Sequence, residues 1–95
     1  MYYILVVVYY DREIMKHIKK GKLPREIVTL FYNAFISLDM TGDLNLFDMK
    51  KLVTHSSIDY YRLRKGKYRA IFKIEEGDFY VLSIAKREEA YDRWG

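Results

Sequence analysis

The stretch YYRLRKGKYR, residues 60–69, limits what this chain can fold into more than any other segment. It reads as a tight β-hairpin: two runs alternate aromatic or apolar residues with cations around a central glycine. Side chains alternate faces along a strand with period two, so Arg62 and Arg64 share one face while Tyr61 and Leu63 take the other. With the turn built on Lys65 and Gly66, Arg64 pairs with Lys67 and Arg62 with Arg69. Four cations then crowd one face of two strands. Like charges directly across a ladder repel by about 1 to 3 kcal/mol at ~5 Å. A purely structural hairpin avoids that cost. A polyanion site uses it, because phosphate turns the repulsion into attraction through forked guanidinium donors.

The whole chain carries a formal charge of only +4, so the distribution matters more than the total. Residues 62–69 hold Arg62, Arg64, Lys65, Lys67 and Arg69 with no acidic residue among them. The 95 residues, 51% hydrophobic and 32% charged, fit one globular domain spanning 1–95 with a single core. The absence of cysteine excludes disulfides, zinc–thiolate sites and a thiol nucleophile, and is consistent with a reducing, cytoplasmic setting. The longest apolar run, residues 2–10, is about half a bilayer span and reads as a strand covered on both faces. No membrane association is expected.

Along the chain, Asp11 caps a short amphipathic helix over residues 12–20 that ends at Gly21. Pro24 opens a second helix running to about Leu38, with Ile27, Leu30, Phe31, Ala34, Phe35 and Leu38 at core spacing. Val28, Tyr32 and Ile36 broaden its apolar surface beyond what one sheet buries, which calls for cover by the first helix or by a partner. Periodicity is poor over residues 39–59, where loops flank a short element near residues 46–53. Three strands follow, residues 60–64, 67–75 and 78–86, with Glu76-Gly77 as the second turn. Alternation places Tyr61, Leu63, Tyr68, Ala70, Phe72, Ile74, Phe79, Val81 and Ala85 against the helices. It places Arg62, Arg64, Lys67, Arg69, Lys73 and Lys86, with Tyr60, Ile71, Tyr80, Leu82 and Ile84, on the opposite face. The expected fold is therefore α+β: an N-terminal strand, a two-helix hairpin and a three-stranded antiparallel meander, with the helices on one face.

The motifs DMKKL at 48–52, YYRLRKGKYRAIF at 60–72 and VLSIAKREEAY at 81–91, in this order of elements, resemble the RelE/ParE superfamily of toxins from toxin–antitoxin pairs. The resemblance implies a RelE-like, microbial-RNase type fold. It also implies a ribosome-dependent endoribonuclease that cuts mRNA at the decoding site, beside 16S rRNA, and is held inactive by a cognate antitoxin protein. The family's basic pair falls on Arg62 and Arg64, its next-strand arginine on Arg69, and its late arginine and tyrosine on Arg87 and Tyr91. Some relatives carry lysines at the first two positions and histidine at Lys86, and their turn is shorter where this chain has residues 54–59. The same superfamily includes gyrase-inhibiting toxins of the ParE type and catalytically inactive RNA or antitoxin binders, which remain alternatives.

RNA cleavage by its own 2′-hydroxyl requires alignment, stabilisation of the phosphorane and movement of two protons. The arginines suit the first two tasks but stay protonated, so neither Arg62 nor Arg64 is a base. Like-charge repulsion among arginines favours a neutral lysine, which makes Lys86 or Lys67 the candidate base, with Tyr91 as donor or stacking platform. Lys50, Lys51, Lys65 and Lys67 are candidate contacts to the RNA backbone. His17, on the first helix, and His55, in a loop, are the alternative pair for acid–base work, and Trp94 is a further stacking candidate. No metal or small-molecule cofactor is expected: Asp39 to Asp43 echoes a calcium loop, but Lys50 stands where the bidentate glutamate belongs.

Overall fold

The computed structural model describes residues 7–43, 45 and 47–86. β1 (Val8–Tyr10) leads into α1 (Arg12–Lys19) and α2 (Arg25–Thr41). β2 (Asp48–Lys51), β3 (Tyr60–Lys65), β4 (Tyr68–Glu75) and β5 (Asp78–Lys86) follow. The five strands form one sheet in the order β1-β5-β4-β3-β2, antiparallel except for the parallel pair β1 and β5. The expected α+β architecture is present, and the aperiodic region supplies a fourth strand to the meander. β2 carries only Met49 inward, too little apolar alternation to register as a strand by pattern.

Local chemistry explains the helix boundaries. Asp11 takes the N-cap of α1, its Oδ1 accepting from the Glu13 N–H at 2.9 Å. α2 runs three residues past the expected end at Leu38, because Leu38 is itself buried and Gly42, at φ 66°, closes the helix with its N–H donating to the Leu38 carbonyl. Phe31, Ala34, Phe35 and Leu38 are buried against the sheet, but Leu30 is 49% exposed and lies outside the core stripe. The core joins these residues to Ile14, Leu23, Leu63, Ala70, Phe72, Phe79, Val81 and Ile84. Phe35 sits at its centre, with ring centroids 4.9 Å from Phe72 and 5.2 Å from Phe79.

β1 lies at a sheet edge and alternates, with Tyr9 half exposed and Val8 and Tyr10 turned to the core. The strand is therefore covered on one face, not two, over its described part; residues 2–6 of the expected strand lie outside the described residues. No helix among the described residues is long and apolar enough to cross a membrane.

Candidate functional site: an arginine face bridged by one aspartate

The hairpin turn consists of Gly66 and Lys67, one residue later than the sequence pattern places it. Lys65 pairs with Tyr68, Arg64 with Arg69 and Arg62 with Ile71. A positive φ falls on Gly66 (58°) but not on Lys67, the II′ arrangement that a leading glycine permits. Arg62, Arg64 and Arg69 still share a face, as alternation requires, and two of them now stand directly opposite each other. Lys67 leaves the ladder for the exposed turn. Lys65 belongs to the helix-side face, where its ammonium lies 4.4 Å from the Phe47 ring centroid.

β5 departs further from simple alternation. Ser83 pairs with Ile71 but Val81 pairs with Phe72, so Leu82 is an extra, unpaired residue that shifts the phase of the strand. Before Leu82 the faces are as expected, with Phe79 and Val81 inward. After it they exchange: Ile84 pairs with Ala70 in the core, Ala85 with Arg69 on the arginine face, and Lys86 with Tyr68 on the helix side. Lys86 thus lines a cleft of about 510 Å³ with His17, Lys22, Leu23 and Tyr68, away from the arginines it was expected to join. Arg87, Tyr91 and Trp94 lie outside the described residues.

β2 adds two residues to the arginine face. Asp48 pairs with Arg64 and Lys50 with Arg62, whereas Lys51 pairs with Tyr61 on the other side and bridges to Asp59 at 3.3 Å. Successive rows across the face are Asp48, Arg64, Arg69, Ala85, then Lys50, Arg62, Ile71, Ser83, then Tyr60, Lys73, Tyr80, Tyr9. Asp48 Oδ1 accepts from Arg62 Nη2 at 3.0 Å while its Oδ2 pairs with Arg64 Nη2. One carboxylate therefore bridges two guanidinium groups. The three arginines are graded in depth: Arg69 is 3% exposed, the Arg62 side chain 13% and that of Arg64 48%. Arginine cannot discharge at any ordinary pH, so burial places a fixed positive charge where low polarisability lengthens its reach.

The far end of the same face has another character. Tyr9 stacks on Tyr80 at 4.7 Å, and the Lys73 ammonium lies 3.0 Å from Glu75 and 5.3 Å from the Tyr80 ring centroid. The Tyr80 hydroxyl is held above its usual pKa by desolvation, then by Tyr9 and the carboxylates of Asp78, Glu75 and Glu76. The face thus runs from cationic to aromatic and acidic; of the apolar residues that alternation places on it, Ile84 lies in the core instead.

Sequence reasoning placed Arg62, Arg64 and Arg69 on one face, as the register does, and missed the Asp48 bridge between two of them. The signal was present: Asp48 and Lys50, two apart in a short element preceding the hairpin, fall on one face once that element is a strand. What the sequence withholds is the register that sets Asp48 opposite Arg64.

Two helices on one side of a five-stranded sheet, with a cationic patch on the other side, define a small α+β class, and comparison narrows it. A chain of the RelB–RelE antitoxin–toxin complex from Methanococcus jannaschii matches with a TM-score of 0.64 at 22% identity, over 92% of this chain and 99% of that one. The archaeal RelE–RelB complex from Pyrococcus horikoshii OT3 gives 0.65 at 23% identity, over 88% and 97%. The YoeB dimer from Staphylococcus aureus gives 0.62 at 17%, over 85% and 94%. No protein-family model and no curated protein matches the sequence. The chain has the RelE-type toxin fold.

Proposed function

We propose that this protein is the toxin of a toxin–antitoxin pair, of the RelE type, acting as an endoribonuclease on mRNA bound to the ribosome. The observation that carries the reading is the convergence of Arg62, Arg64 and Arg69 on the face of a RelE-type sheet away from the helices. Three forked donors of graded exposure suit a scissile phosphodiester: Arg64 meets the incoming strand, and the deeper Arg62 and Arg69 stabilise charge as the 2′-hydroxyl attacks. Preorganised donors aimed at developing charge are worth about 3 to 4 kcal/mol each. Lys50 extends the patch for a neighbouring phosphate. Proton transfer falls to groups other than the arginines; the helix-side position of Lys86 speaks against it as the base and in favour of Lys67, the other candidate lysine. Arg87 and Tyr91 keep their proposed parts, in charge stabilisation and in donation or stacking, on the resemblance alone.

An antitoxin is the proposed protein partner, as in the two RelB–RelE complexes. The surface that suits it is the apolar groove of about 350 Å³ between α1 and α2, lined by Tyr10, Met15, Ile18 and Val28, beside the exposed Tyr32.

The test is cleavage of a message on programmed ribosomes, with free RNA as control. Site-specific cleavage that depends on the ribosome supports the full reading. A well-folded protein that leaves messages intact while poisoning DNA gyrase is instead a toxin of the ParE type.

A further inference from the structure

We propose that Asp48 is a positioning residue, whose single carboxylate sets the spacing and orientation of the Arg62 and Arg64 guanidinium groups for a phosphodiester. The inference deepens the nuclease reading and rests on it for its kinetic part. Arg62 and Arg64 lie two apart on one strand, so they project from the same face and repel. The Arg62 side chain is largely enclosed, but that of Arg64 is half exposed and has room to swing into solvent. Asp48 stands on the edge strand directly opposite Arg64 and holds Nη2 of both groups, one with each oxygen.

The contact engages the same nitrogen on each arginine. A guanidinium offers five N–H donors in a planar fork, so binding at Nη2 tethers the head group at one corner and leaves Nη1 and Nε of Arg64 to meet a ligand. The face also keeps its attraction for anions, because in its first two rows, among the described residues, Arg62, Arg64, Arg69 and Lys50 stand with Asp48 as the acidic residue. A bridge that orients two donors without cancelling the patch serves preorganisation, and misplacing such donors by about 1 Å costs up to ~10²-fold in rate. Asn cannot substitute, since its amide has one acceptor oxygen and no charge. Glu keeps both oxygens on a longer stem.

The test compares the full chain with Asp48→Asn and Asp48→Glu by thermal unfolding, by kcat and KM on programmed ribosomes, and by arginine side-chain ¹⁵N–¹H spectra of the protein alone. Asp48→Asn is expected to fold normally, to lose about 10- to 100-fold in kcat with KM changed by no more than about threefold, and to shift the Arg64 side-chain signals toward those of a solvent-exposed arginine. Asp48→Glu is expected to recover part of both. A folded Asp48→Asn that cleaves as well as or better than wild type overturns the proposal, because Asp48 is then only a competitor for the anion. Unchanged arginine spectra overturn it as well, and that readout does not depend on the nuclease reading. A wild type that cleaves nothing sinks the nuclease reading alone and leaves the spectra to decide the role of Asp48.

Discussion

From Tyr60 to Arg69 the same two strands serve two faces that obey opposite rules. Toward the helices, Leu63 and Ala70 are fully buried among aromatic rings, and every removed surface favours the fold. On the other side, Arg64 faces Arg69, and the Asp48 carboxylate that pairs with Arg64 is itself 42% exposed. Pairs so open to water contribute no more than about 1 kcal/mol. One face holds the protein together, and the other costs it stability while presenting charge. Substitutions that separate stability from activity are the way to break this division.

The largest effect is expected on the apolar side. Phe35 touches Phe31, Phe72 and Phe79 and has no exposed surface, so Phe35→Ala should lose about 3 to 5 kcal/mol of folding free energy. Denaturant unfolding reads this directly. A loss below about 1 kcal/mol would mean that the packing around Phe35 is not the organising core.

The arginine side should behave in reverse. Arg64→Ala removes a half-exposed side chain, and its unfolding midpoint should stay near wild type while ribosome-dependent cleavage falls by about 10²- to 10³-fold. Arg62→Ala should lose as much activity with a somewhat larger loss of stability, because it is more enclosed. Were Arg64→Ala to unfold the protein as Phe35→Ala does, the two faces would not be separable. Were it stable and fully active, the arginines would serve some other anion.

How far this contrast was legible in the sequence differs along the sheet. In β3 and β4 strict alternation of large apolar residues with cations left little choice, and Arg62, Arg64 and Arg69 fell on one face despite a turn misplaced by one residue. An even-membered turn on either site preserves the facing. β5 failed for a physical reason: Val81, Leu82, Ser83 and Ile84 are compatible with either face, so composition does not mark where an extra residue enters. Asp48 failed for another, since its partner Arg64 is 16 positions away and only pairing register brings them together. Leu30 looked like core because helical spacing defines a stripe wider than the sheet it meets.

The irregularity in β5 offers a third test. Leu82 is the unpaired residue, so its deletion would join Val81 to Ser83 and restore plain alternation with every later side chain on its present face. The shortened protein should fold, losing about 1 to 2 kcal/mol for one half-buried leucine. Deletion of Ile71, which is paired on both sides, with Arg62 and with Ser83, has no such relief and would turn Arg69 toward the core, so that variant should not fold. A collapse of both variants alike would show that Leu82 is not a simple insertion in the ladder.

The smallest effect concerns Tyr10, where the apolar face keeps a polar atom. Its hydroxyl is buried and makes no hydrogen bond among the described residues, and its pKa is pushed up from 10.0 to about 12, first by burial and then by nearby Tyr32. The folded state therefore favours the neutral phenol. Stability from this preference is complete below pH 10 and is lost as pH rises through 12, because the unfolded chain releases its proton first. Tyr10→Phe should remove that part of the alkaline decline, so the difference in stability between variant and wild type should widen in the variant's favour between pH 10 and 12. Below pH 10 the variant should match wild type or exceed it by no more than about 1 kcal/mol, since no hydrogen bond is lost and a buried hydroxyl is removed. A variant less stable by more than that amount would show that the hydroxyl has a partner, and that the helix side of the sheet contains a polar contact as specific as the one Asp48 makes on the other.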